Sequence, residues 1–190
     1  MAEGLFERAK DAVIGVVKGA GDIVDSVRET VTGLVTGALK GAGEISTAAV
    51  GVVTDTVKGA LRGTKEAGTE ATQGARAVVS GAVEAVAGVG GDVAAGARNA
   101  VKAAIEGARD IGTDVAGTAV GAVEGAVDAT KRVGKNVTEV ATGAVEQALQ
   151  SAGEISREAA EAVKKGLSSA ARVPRDVVES VIKRNESTKR

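Results

Sequence analysis

Apolar residues return along this chain every eleven positions. Counting by elevens from Leu5 gives Leu5, Val16, Val27, Ala38, Ala49, Ala60, Ala71, Ala82, Val93, Ala104, Val115, Ala126, Val137, Ala148, Ala159, Ala170 and Val181, seventeen positions without a polar residue. Against an overall hydrophobic fraction of 44%, such a column has a chance of roughly one in a million before allowing for the choice of period. A second column carries Ile23, Leu34, Ile45, Val78, Val89, Ile111, Val133, Ile155 and Val177, interrupted by Thr56, Gly166 and Thr188. Eleven residues in three turns is about 3.67 per turn, close to a straight α-helix, so a face with this period stays on one side and drifts slightly right-handed.

The pattern therefore predicts an all-α protein dominated by one long amphipathic helix. Its apolar stripe is carried by Leu5, Phe6, Val13, Val16, Val17, Ile23, Val27, Leu34, Ile45, Val78, Val93, Ile111, Val115, Val133, Val137 and Ile155. A twenty-two-residue superperiod is laid over it, because one column alternates Val57, Gly68, Val79, Gly90, Val101, Gly112, Val123, Gly134 and Val145. Gly88-Val89-Gly90-Gly91 is the candidate for a hairpin turn. The eleven-residue phase runs through it unshifted, so a continuous helix and a hairpin folded there both remain open. Pro174 lacks a backbone donor and ends or kinks the helix. The expected organisation is a repeat region over 1–173, then a short helix and a polar basic tail over 174–190.

The flanks of the stripe differ in charge. Lys10, Lys65, Arg76, Arg98, Arg109, Lys131 and Lys164 fall in one bordering column and predict a basic edge. Glu70, Asp92, Asp114 and Glu158 fall in the opposite column, with Asp11, Asp22, Glu44, Asp55, Glu66, Asp110, Glu154 and Asp176 beside them. Twelve of the 27 glycines occupy two adjacent columns. Among them Gly15, Gly19, Gly37, Gly41, Gly59 and Gly63 are the candidates for close helix contact, where a second backbone would approach.

Composition changes what such a helix can do alone. The chain of 190 residues has one aromatic side chain, Phe6, and its apolar fraction is mostly Ala and Val. Interior glycines weaken a single helix by about 0.8–1 kcal/mol each relative to Ala, on the order of 20 kcal/mol over the chain. An isolated helix of this kind is expected to be disordered or partly helical until lipid, another copy or its own other half buries the stripe. Phe6, with Val13, Val16 and Val17 after it, makes the bulkiest apolar segment and the expected first point of membrane insertion.

Candidate chemistry is thin. With no His and no Cys, there is no imidazole acid/base group, no thiolate ligand and no disulfide. Ser180-Val-Ile-Lys183 matches S-x-x-K without its partner motifs. Gly88–Gly91 follows no strand, and no phosphate-binding G-x-x-x-x-G-K-[ST] occurs. No enzyme, cofactor, metal or small-molecule substrate is expected. A formal net charge of −1 without aromatic platforms argues against nucleic acid. No apolar run approaches the ~18 residues of a membrane span, so a cytoplasmic protein, peripheral on a membrane or lipid body, is expected.

Short stretches carry a family likeness. Gly63-Thr-Lys-Glu-Ala67, Thr130-Lys-Arg-Val-Gly134 and Val57-Lys-Gly-Ala resemble the repeats of synucleins, and Gly41-Ala-Gly-Glu-Ile-Ser-Thr-Ala-Ala49 resembles their apolar central segment. The eleven- and twenty-two-residue period is similar to that of exchangeable apolipoproteins, perilipins and group 3 late-embryogenesis-abundant proteins. This resemblance implies a chain that becomes helical on a lipid surface. The sequence reading is thus a non-enzymatic protein that coats or remodels a membrane or lipid body, with side-by-side homo-oligomers. The alternatives are a self-associating right-handed coil, bundle or filament without lipid, and a stress-protection protein.

Overall fold

The computed structural model describes residues 2–18, 22–41 and 48–188. Ile45 and Gly19, two of the residues singled out above, lie outside them. The described residues form nine helices: α1 (Ala2–Val17), α2 (Ile23–Gly41), α3 (Ala48–Glu66), α4 (Ala71–Gly88), α5 (Val93–Ile111), α6 (Val115–Arg132), α7 (Val137–Ile155), α8 (Arg157–Ser168) and α9 (Arg175–Thr188).

Neither the long continuous helix nor a single hairpin describes the chain, and it is not a disordered chain awaiting a surface. The superperiod is the length of one helix plus one turn. Helices α4, α5, α6 and α7 begin at Ala71, Val93, Val115 and Val137, each twenty-two residues after the last. Gly68, Gly90, Gly112 and Gly134 all have positive φ, between 63° and 80°. Each ends the helix before it with the same pair of hydrogen bonds. At Gly112, for example, its own N–H donates to the Arg109 carbonyl at 3.1 Å and the Thr113 N–H to the Ala108 carbonyl at 3.0 Å. This left-handed stop suits glycine because it has no Cβ to clash.

Two residues later the next helix is started by a side-chain cap. Glu70 accepts from the Thr72 and Gln73 N–H groups, Asp92 from Ala95, Asp114 from Ala116 and Asn136 from Glu139, at 3.0–3.3 Å. Such a cap is worth about 1 kcal/mol. Glu70, Asp92 and Asp114, which share one column, are therefore helix starts. The eleven-residue phase survives the turns because each connection of three or four residues completes the count to twenty-two.

Short turns make consecutive helices antiparallel. The most extensive packing, however, is between helices two apart in sequence. α1, α3, α5 and α7 form one layer, and α2, α4, α6 and α8 the other. The alternating column now divides by role: its glycines turn the chain, while Val57, Val79, Val101, Val123 and Val145 are fully buried between the layers. The core they belong to is almost entirely Ala and Val, with Ile105 and Leu167 its largest fully buried side chains. Val13, Val27, Val78 and Val93 of the expected stripe are buried in it, and Val17, Ile23, Leu34, Val115, Val133, Val137 and Ile155 pack against it. Leu5, Phe6, Val16 and Ile111 are half-buried. Val50 alone among the described large apolar side chains is exposed.

Small side chains permit this thin spacing. A methyl group on Gly59 would fall on the Phe6 carbonyl oxygen, on Gly81 the Arg28 carbonyl, on Gly121 the Thr72 carbonyl and on Gly125 the Arg76 carbonyl. On Gly63 it would meet the Lys10 carbonyl at 2.6 Å. In every case the backbone approached belongs to the helix two earlier.

Candidate functional site

The regular repeat fails at α7. No glycine stops this helix. Ser156, in extended conformation, ends α7 and starts α8 at once: its N–H donates to the Ala152 carbonyl at 3.1 Å, and its hydroxyl accepts from the Ala159 N–H at 3.0 Å. With no turn between them, α8 leaves α7 at a corner, and it runs only twelve residues. The chain then reaches Pro174, whose carbonyl accepts the Val178 N–H at 3.2 Å as α9 begins. α9 packs on both α7 and α8.

Between these three helices lies a cleft of about 620 Å³, within the range of small-ligand sites. Leu149, Gly153, Ala160, Val181 and Ile182 supply an apolar lining, and Glu146, Gln150, Glu154, Glu161, Lys164, Arg184, Asn185 and Glu186 the polar one. Two ion pairs tie α9 across it. Arg184 meets Glu146 of α7 at 3.0 Å, and the Lys164 amine of α8 donates to Glu186. The hydrogen bond with Glu186 holds the Lys164 amine above the usual lysine range, although partial burial opposes it. Gln150 donates to Glu154 at 3.1 Å. A smaller pocket of about 290 Å³ lies among α2, α3, α4 and α5, lined by Leu39, Val53, Val86 and Val89 with Asp92 at its edge.

The residues expected to form a basic edge do not share one. Alternation of helix direction distributes them over both layers. Lys10 pairs with Glu7, and Arg109 with Asp110 at 2.7 Å. Lys65 donates to the carbonyls of Ile111 and Gly112, so a lysine of α3 caps the C-terminus of α5. Arg98 and Lys131 are exposed, and Lys164 lines the cleft. Arg76 reaches Asp128 of α6 at 3.0 Å.

That last pair belongs to a ladder the sequence columns did not reveal. Glu84 of α4 accepts from Arg28 of α2 at 2.8 Å and from Arg132 at 2.6 Å. Asp128, forty-four residues on, sits between Arg76 and Arg172 at 3.0 and 3.5 Å. Both acids are nearly buried, at 12–13% side-chain exposure, so each carboxylate ties three successive parts of one layer. The forty-four-residue spacing of the two acids was the available signal.

Gly59 and Gly63 lie against the backbone of α1, whereas a methyl on Gly15, Gly37 or Gly41 would meet open space. Ser180 and Lys183 lie on α9, where the Ser180 hydroxyl donates to the Val177 carbonyl at 2.9 Å. No group of acidic residues fit to hold a metal ion occurs among the described residues. No described helix is long and apolar enough to cross a membrane.

No protein-family model and no curated protein matches the chain. Among solved structures, a crystallised de novo designed helical repeat protein, DHR7, is similar over 99% of this chain and 98% of its own, with a TM-score of 0.53 and 18% identity. At that identity the likeness is one of fold alone, and it too rules out the single extended helix: the chain has the architecture of a helical repeat protein.

Proposed function

We propose that the chain is a non-catalytic helical-repeat scaffold that binds partners through its folded surface. Burial of the apolar stripe between the two layers carries this reading. Val27, Val78 and Val93 at 0–6% exposure have no apolar surface left to lay on lipid while the layers stay together. The absence of His and Cys from the sequence supports the non-catalytic part.

Coating of a membrane or lipid body, with the stripe turned to the acyl chains, requires the layers to part. One observation favours it as a second reading: the N-terminal helices bury few side chains. α1 buries Ala9 and Val13, and α2 a single row of Val27, Val31, Val35 and Leu39, whereas α4 buries eleven residues. Amide hydrogen exchange decides between the two, measured in buffer and then with vesicles of phosphatidylcholine alone or mixed with phosphatidylglycerol. The scaffold reading expects α3–α7 to stay protected and the protein not to float with vesicles. Flotation together with lost protection in α1 and α2 would replace it with the lipid reading. Light scattering on the same samples reads the expected self-association.

A further inference from the structure

We propose that the cleft between α7, α8 and α9 is a binding site for a small primary aliphatic amine in its ammonium form. The charges of the cleft are unevenly satisfied. Of the four carboxylates lining the cleft, Glu146 is engaged by Arg184 and Glu186 by Lys164. Glu154 receives only the neutral amide of Gln150. Glu161 forms no hydrogen bond or ion pair among the described residues. Among the described residues of the lining, carboxylates outnumber cations four to two, with Glu161 also acting on the charge of Lys164, so this lining is complementary to a positive charge.

The lining sets the rest of the ligand. Leu149 and Ile182 offer an aliphatic wall of a size that takes an alkyl chain rather than a bare ion. No aromatic residue lines the cleft, so the cage that recognises quaternary ammonium groups is missing. Carboxylate oxygens, by contrast, accept N–H hydrogen bonds, which a primary ammonium supplies and a trimethylated one does not. Gly153 lines the cleft, and a Cβ there would meet nothing within 4 Å.

The test is titration of the full chain with octylammonium, octyltrimethylammonium, octanoate and octanol, each below the concentration at which it aggregates. Calorimetry gives affinity and stoichiometry, and amide NMR the location. Octylammonium is expected to bind one to one, with shifts confined to α7–α9, and at least about tenfold tighter than the other three. The double variant Glu154→Gln and Glu161→Gln is expected to weaken it by about tenfold. Gly153→Trp fills the cleft from a position with room for a side chain and should abolish binding with the fold intact by circular dichroism. Equal binding of octanoate or octanol, binding that survives in Gly153→Trp, or no saturable binding of octylammonium would each overturn the proposal. The inference stands on the folded repeat, and the circular dichroism control separates loss of that fold from failure of the site.

Discussion

The middle of the molecule and its N-terminal end are written in the same residues and built differently. From α4 to α7 the helices start at a constant twenty-two-residue interval, with a left-handed glycine and a capping side chain at each junction. From α1 to α3 the starts are Ala2, Ile23 and Ala48, at unequal intervals. Gly33 is the eleventh residue of α2, as Gly81 is of α4 and Gly125 of α6. Those two receive a backbone carbonyl from the helix two earlier, while around Gly33 a methyl would meet nothing. A glycine inside the stack makes room for a neighbour, which offsets its entropic penalty in a helix. At the end, where α2 has no helix two before it, only the penalty remains.

The largest difference between the two regions should follow from the same substitution at both places. Gly125→Val should destabilise by about 3 kcal/mol, because the Arg76 carbonyl cannot yield without moving a helix. Gly33→Val should change stability by less than about 1 kcal/mol. Urea denaturation of the two variants measures both. Equal losses would mean that the end is packed like the middle.

The charge ladder comes next in size. Glu84→Gln leaves Arg28 and Arg132 facing a neutral amide, with an expected loss of about 2 kcal/mol. A double-mutant cycle with Arg28→Met should recover part of it, since only one guanidinium then lacks its partner. Cap removal should follow. Asp114→Ala is expected to lower global stability by about 1 kcal/mol. Asp22 caps α2 through the Val24 and Asp25 N–H groups, and its replacement by Ala should show mainly as faster hydrogen exchange in α2, an element held on fewer sides.

Two smaller effects sharpen the contrast. Gly37→Ala, with open space at the new methyl, should stabilise by about 0.5–1 kcal/mol, read as a raised Tm. Two aspartates in α3 and α5 should shape the acid limb in opposite directions. Burial pushes the Asp55 carboxyl up, with Lys58 opposing. The folded state therefore holds this proton to higher pH than the unfolded state, and stability falls as pH rises through that window. Asp55→Asn should raise stability at neutral pH and make acid unfolding steeper. The hydrogen bond from Arg109 holds Asp110 down. Its contribution is present above the unfolded pKa and is lost as pH falls through the folded one, so Asp110→Asn should flatten the acid limb.

The helical character of the chain was legible in the residues, and the arrangement of the helices was not. Seventeen apolar positions at one spacing made the chain helical, and the aligned glycines, Gly59 and Gly63 among them, marked close backbone approach. What misled was a coincidence of counts: helices of eighteen or nineteen residues plus their turns fill twenty-two, twice eleven, so the turns left no gap in the pattern. Gly68, Gly90, Gly112 and Gly134 alternated with buried valines in a single column, and periodicity alone cannot tell a helix-stop glycine from a helix-face glycine. The cleft had a fainter trace in the sequence. Its signal was the absence of the next glycine-and-cap junction after Gly134, replaced by Ser156, and of the regular spacing beyond it.

Local chemistry settled the helices, their capped starts and their glycine stops, because each depends on side chains within a few residues of one another. Partners were another matter. That Glu84 should lie between Arg28 and Arg132, that Gly125 should meet a carbonyl while Gly33 meets none, and that α9 should return to enclose a cleft against α7 and α8 depend on where distant segments come to rest. A periodic sequence presents nearly the same face at every repeat. Only the stacking of the layers, with its two ends and its break at α8, makes those faces different.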